Sequence, residues 1–199
     1  MKRLSLYLFL ILFTLQTPSW ADDIRDFQIE GMSIGDSLLD YFSEEVIIKR
    51  SVTDYPNSKK FSRFQAPLSK KFEDYDTVDF HYETNDPKYI IVSLSGGIFD
   101  ENDMKACLKK MEVVKTAMLE IFKNVKTYDD GVSPWLGGDK SGKTITAHFY
   151  FNFKSGSYVD LACYDWSDEI TKENFFTDHL AVGLFNKEFG DWLVNEAYK

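Results

Sequence analysis

The chain has 199 residues, 16% of them aromatic, and carries 32 acidic against 23 basic side chains for a formal charge of −9. That balance argues against a nucleic-acid partner, whose affinity rests on cations that neutralise phosphates. The aromatic content can supply one core without metals or several disulfides.

Residues 1–21 open with Lys2 and Arg3, run through apolar Leu4–Leu15 and reach Ser19-Trp20-Ala21 before Asp22-Asp23. This is the pattern of a secretory signal peptide cut after Ala21, which places the product in the periplasm or outside the cell. The apolar run is short of the about 20 residues a membrane span needs, so no stable span is expected after cleavage. Loss of Lys2 and Arg3 moves the formal charge from −9 to −11. Residues 22–199 then read as a single domain.

In Phe27–Phe42 the spacing predicts a short strand leading into a helix, with Ser33 and Asp36 as a capping pair and Ile34, Leu38 and Phe42 as a buried stripe. The stretch IEGMSIGDSLLDYFSEE (29–45), together with KEFGDWL (187–193), resembles a group of short, exported, uncharacterised bacterial proteins. The resemblance implies a bacterial periplasmic setting and carries no activity or catalytic motif.

Between Ser51 and Asp76 the periodicity weakens. Lys59, Lys60, Arg63, Lys70 and Lys71 read as a solvated loop, or as a contact surface for an anionic partner, with Phe61, Phe64 and Phe72 as anchors onto the core. Val78–Tyr82 and Tyr89–Leu94 form a hairpin pattern around the turn formers Thr84-Asn85-Asp86-Pro87. Val78, Phe80 and Tyr82 make its apolar face with Ile90, Val92 and Leu94, and Asp79, His81 and Glu83 make the other. Glu101–Val125 is an amphipathic helix with Asp100 and Asp103 as its cap. Leu180–Phe185 reads as a strand and Lys187–Tyr198 as a closing helix.

The strongest pattern is Thr144–Trp166. Ile145, Ala147, Phe149, Phe151 and Phe153 alternate with polar residues, and Lys154-Ser155-Gly156 suits a three-residue turn with Gly156 left-handed. That turn sets Phe151 against Val159, Phe149 against Leu161 and Ala147 against Cys163. On the other face His148 lies opposite Ala162 and Tyr150 opposite Asp160, so His148 and Asp160 are diagonal neighbours. The fold expected is α+β in two layers, an antiparallel sheet of hairpins covered on one face by the long helix and shorter helices.

Gly137–Thr144, GGDKSGKT, matches the phosphate-binding G-x-x-x-x-G-K-[ST] pattern. The pattern requires a helix after it, and a strand follows here, so no nucleotide is expected. Cys107 and Cys163 both point into the helix–sheet layer. They suit either a disulfide or two buried thiols, and the thiols are favoured because one residue of offset breaks the bonding geometry. His81, His148 and His179 show no metal-ligand spacing, and no cofactor is implied.

The candidate ligand-binding residues are therefore His148, Asp160, Tyr150, Tyr158, Tyr164 and His81, a polar-aromatic face suited to sugar or peptide. The plainer reading is a wet sheet face. The function expected is binding of a small ligand or an envelope protein without catalysis. The alternatives are a small hydrolase using His148 with Asp160, and a structural partner in a cell-envelope complex that docks through a sheet edge or the basic loop.

Overall fold

The computed structural model describes residues 23–199 apart from 54, 68, 100–102, 136–138, 140 and 175. The leader, Asp100 of the expected cap and part of GGDKSGKT lie outside the described residues. Eight strands form one antiparallel sheet: β1 (Ser51–Val52), β2 (Phe61–Gln65), β3 (Thr77–Glu83), β4 (Ile91–Ile98), β5 (Lys126–Pro134), β6 (Ile145–Asn152), β7 (Tyr158–Asp165) and β8 (His179–Phe185). Their order is β1-β2-β3-β4-β8-β7-β6-β5. Four helices accompany them: α1 (Glu44–Arg50), α2 (Met104–Ile121), α3 (Asp168–Asn174) and α4 (Lys187–Trp192), the last running into a π-helical turn at Leu193–Ala197.

The β6–β7 hairpin has the register that its turn dictates. Phe151 pairs with Val159, Phe149 with Leu161, His148 with Ala162 and Tyr150 with Asp160. Gly156 sits at φ +86, and the Phe153 N–H donates to the Ser157 carbonyl at 2.9 Å to close the loop. A side chain at 156 would be strained by that φ and would also meet the Lys187 stem at 2.7 Å.

The β3–β4 hairpin differs from the expected register. Phe80 does pair with Leu94, but the ladder slips between His81 and Tyr82, so Tyr82 pairs with Ile91. Ile91, not Ile90 or Val92, therefore completes the apolar face, and Val92 turns to the opposite side, where it packs against a cluster that includes Phe189 and Trp192. A bulge inserts one residue, which inverts the facing of everything beyond it. β8 then lies between β4 and β7 and joins the two hairpins into one sheet.

Two strands fall where the pattern was weak. β2 occupies the middle of the basic stretch, with Phe61 and Phe64 fully buried. Its cations are dispersed on internal contacts: Lys59 donates to the Thr53 carbonyl at 2.6 Å, Lys60 pairs with Glu188 at 2.9 Å and Lys70 lies 4.3 Å over the Phe42 ring. β5 is an edge strand exposed on both sides, so it carries no alternation. A register shift between Asp129 and Gly131, the acidic pair Asp129-Asp130 and Pro134 all oppose pairing of this edge with another chain.

Phe80, Leu94, Leu184, Val159 and Phe151 share one face through successive pairings, here the core face. α2 packs there on β6, β7 and β8. Asp103 caps it by accepting the Ala106 N–H at 2.9 Å, and the helix ends before Phe122, whose buried ring meets Phe151 and Phe153 at 5.5 and 5.2 Å. The β2–β4 half of the core face is covered instead by the N-terminal segment. That segment is not a strand and helix: Ile29 and Met32 bridge through Glu30 and Gly31, both at positive φ, and a short 3-10 turn at Leu38–Asp40 precedes α1. Ile34, Leu38 and Phe42 are buried as their spacing requires, while Asp36 accepts the Ser33 N–H at 2.9 Å without a helix between them.

On the opposite face α4 and the π-helical turn bury a second cluster of Tyr55, Phe61, Phe189, Trp192 and Ala197. The chain is thus a mixed α and β fold on one antiparallel sheet, and the expectation of helices on a single face is corrected. The thiol reading is corrected too. Cys107 and Cys163 are bonded, with Cα atoms 5.9 Å apart, and tie α2 to β7. No described helix is long and apolar enough to cross a membrane.

Candidate functional site

The face opposite α2 is read directly from the register. Asp79 pairs with Ser95, Ser95 with Gly183, Gly183 with Asp160 and Asp160 with Tyr150, so these five form one row across the sheet. His81, Ser93, Phe185, Tyr158 and Asn152 form the row on one side, and Thr77, Gly97, Ala181, Ala162 and His148 the row on the other. All six sequence-predicted site residues therefore project from the same face.

They do not all come together. β4, β8 and β7 separate His81 from His148, four strand steps or about 19 Å. His81 is moreover sealed under the second cluster, with Nε2 2.7 Å from the Tyr55 hydroxyl and its ring 4.5 Å from that of Phe189. Burial, with the field of Arg63 added, pushes its pKa down to about 3. His81 belongs to the packing of the C-terminal helix, and the site reduces to β6, β7 and β8.

There His148 Nδ1 lies 3.1 and 3.2 Å from the two oxygens of Asp160, and with its proton on Nδ1 the imidazole donates to the carboxylate. Only 17% and 14% of their side-chain surfaces are exposed. Burial opposes the charge on His148, but the hydrogen bond and field of Asp160 outweigh it and hold its pKa above the usual 6.5. Burial raises the Asp160 carboxyl in turn, partly offset by His148. Nε2 has no hydrogen-bond partner among the described residues and is the end of the ring left for an incoming group.

Three tyrosines ring the pair. Tyr150 stands parallel to His148 with ring centres 5.7 Å apart, Tyr164 meets it edge-on at 5.7 Å, and Tyr158 lies 6.1 Å from Tyr150. Burial, then the charge of Asp160, pushes all three phenols up, so they stay neutral donors and acceptors. No family model, curated protein or solved structure matches the chain.

Other rings extend the surface. His179 overlaps Tyr164 at 4.8 Å and 16°, Trp166 overlaps it at 5.1 Å and 9°, and Phe185 overlaps Tyr158 at 4.8 Å and 11°. These residues escape a reading by motif. The available signal was alternation in β8, where 179, 181, 183 and 185 share a face, but it became useful only once β8 was known to lie beside β7.

The arrangement offers an acid–imidazole pair and an aromatic surround. No serine, threonine or cysteine side chain hydrogen-bonds to His148 among the described residues, and no group of three His, Cys, Asp or Glu there can hold a metal ion. In the phosphate-loop-like stretch β6 begins at Ile145, immediately after Thr144, where a helix would be needed. Asp139 accepts the Ser141 and Thr144 N–H groups, both at 2.8 Å, placing a carboxylate on loop donors that a phosphate would use. Lys143 pairs with Glu169 at 3.0 Å.

Proposed function

We propose that this protein is a non-catalytic binding protein whose contact surface is the face of β6, β7 and β8 opposite α2, and that its partner is an extended chain laid across the rings. One observation carries the reading: on the face opposite α2, a largely buried Asp160 is hydrogen-bonded to His148 and ringed by Tyr150, Tyr158 and Tyr164. Taking a carboxylate out of water is unfavourable, and a sheet face that merely met solvent would gain nothing from it. Tyrosine rings supply contact area at low entropic cost while the pair supplies orientation.

Export belongs to the same proposal. The pattern of residues 1–21 supports it, and so does the bonded Cys107–Cys163 pair, since disulfides persist in oxidising compartments. The periplasmic setting follows from the resemblance of 29–45 and 187–193.

The test is a set of 1H–15N spectra recorded with cellohexaose, with chitohexaose and with a pool of extended decapeptides. Shifts grouped on Tyr150, Ala162, Tyr164 and Ala181, and weakened in His148→Gln, support the reading. Shifts confined to the opposite face, or none with any probe, overturn it. The hydrolase alternative draws on the His148–Asp160 geometry, which is that of a base and its orienting acid. It predicts ester turnover that His148→Gln abolishes.

A further inference from the structure

A cleft of about 460 Å³ opens at the far corner of the sheet, on the core face, between α1, the β1–β3 strands and the turn after β3. It is independent of the face around His148, and its size falls in the range of small-molecule sites. Its floor is a chain of hydroxyls. Thr53 Oγ1 lies 2.9 Å from Ser62 Oγ, which lies 2.9 Å from Thr84 Oγ1. Either atom of each pair can donate, so the chain can reverse its polarity and leave a donor or an acceptor at its ends. A ligand hydroxyl, itself both donor and acceptor, matches such a chain.

One wall holds a strained aromatic residue. Tyr89 sits at φ +49, a left-handed conformation that a bulky side chain rarely adopts, and it is held there by the Leu38 N–H donating to its carbonyl at 3.0 Å. Glycine would occupy this position without strain. The ring instead packs edge-on against Tyr82 at 5.2 Å, and its hydroxyl donates to Glu44 Oε1 at 3.1 Å. Strain of this kind gathers where a side chain is wanted in one place. Ile48 of α1 also lines the cleft and keeps 62% of its surface exposed, an apolar contact open to a ligand.

The charges narrow the ligand further. Among the described residues Glu44 and Asp86 are the charged members of the lining, and no lysine, arginine or histidine shares it. Asp86 is occupied, accepting the Lys88 and Ile90 N–H groups at 3.0 and 2.9 Å. Glu44 Oε1 takes the Tyr89 hydroxyl, and Oε2 has no hydrogen-bond partner among the described residues. An anionic ligand would meet uncompensated negative charge, whereas a neutral ring with several hydroxyls finds acceptors, reversible donors and two apolar contacts.

We infer that this cleft binds one neutral sugar residue. Tyr89 and Ile48 take the C–H faces of the ring, the Thr53–Ser62–Thr84 chain takes one edge, and Glu44 Oε2 accepts from a hydroxyl on the other.

The test is a titration of the protein with D-glucose, D-galactose, N-acetyl-D-glucosamine and D-glucuronate, followed by amide shifts. The expected result is that at least one neutral sugar shifts Thr53, Ser62, Thr84 and Tyr89 together. Glucuronate binds more weakly, and Glu44→Gln and Thr84→Val each lower affinity by about tenfold, the loss of one good hydrogen bond. Glu44 is exposed on its helix, so its variant keeps the fold and a loss of binding there is not a loss of structure. A tetrasaccharide of the sugar that binds distinguishes the two sources of such a residue: tighter binding marks a chain, equal binding a free sugar, and both support the cleft. Absence of shifts at tens of millimolar for every neutral sugar overturns the assignment. So does glucuronate binding as tightly as the neutral sugars, or unchanged affinity in Glu44→Gln.

Discussion

His81 on β3 and His148 on β6 project from the same face of one sheet, and among the described residues each hydrogen-bonds to a single side chain. Tyr55 and the C-terminal helix close over the first; the second keeps part of its surface in water and holds a carboxylate. Their proton affinities move in opposite directions as a result, His81 down to about 3 and His148 above 6.5. Position in a strand pattern decides which face a residue takes. What packs above it, and which charge stands beside it, decides its chemistry.

The largest effect is expected from removing the cover. Trp192→Ala deletes a buried ring that packs on Tyr55 and Phe61 at 4.7 and 4.9 Å, at a cost of about 3–5 kcal/mol in urea unfolding. In the folded variant the His81 titration, followed by NMR, should rise toward the ordinary value. An unmoved His81 would mean that the helix is not what sets it apart from His148.

Breaking Cys107–Cys163 acts on the other half. For a sequence separation of 56 the chain-entropy estimate is about 4 kcal/mol, read as the difference in unfolding free energy between the protein and a Cys107→Ser, Cys163→Ser variant. Amide shifts should spread through α2 and β7 and leave Tyr55 and Trp192 in place.

The histidines themselves give opposite pH dependences. The unfolded chain protonates His81 near pH 6.5 while the fold holds it neutral down to about 3, so stability falls as pH drops between those values, by up to about 1.4 kcal/mol per unit. His81→Gln should remove this slope from the difference curve. Folded His148 keeps its proton above 6.5, so its contribution is fully present below that pH and is lost as pH rises through the raised value. Asp160, raised by burial, has the same sign in a lower window, favouring the fold as pH falls toward 3.8. Replacing His148 with Gln should cost about 1 kcal/mol at pH 6 and less at pH 9, measured by denaturant titration.

The smallest effect is expected at Tyr89. Tyr89→Gly relieves a left-handed conformation worth roughly 1–2 kcal/mol and loses a ring contact of similar size, so the melting temperature should hardly move. Sugar binding in the cleft should disappear. That outcome would separate a ring kept for a ligand from one kept for the fold.

The His148–Asp160 contact was legible because a turn with Gly156 at its left-handed position fixes pairing one residue at a time, and pairing fixes diagonal neighbours. The disulfide was not, because the rotation of α2 about its axis relative to β7 is set by packing along the whole helix. β2 hid between prolines and lysines, and β5, wet on both sides, had no periodicity to read. The ladder slip after His81 reassigned Val92, since propensity does not reveal a bulge. The hydroxyl cleft joins α1, the β1–β3 strands and a turn, pieces brought together only when the sheet assembles.

The sequence alone determined the inward and outward sides of β3, β6 and β7, the turn that registers β6 with β7, and the amphipathic stripe of α2, because alternation and turn chemistry act between residues a few positions apart. Tertiary structure decided that β8 joins two hairpins into one sheet, that Trp192 and Phe189 close over His81 while His148 stays accessible, and that Cys107 reaches Cys163. Those outcomes depend on which distant apolar surfaces cover one another, a choice made by the total burial of the chain and not by any one segment.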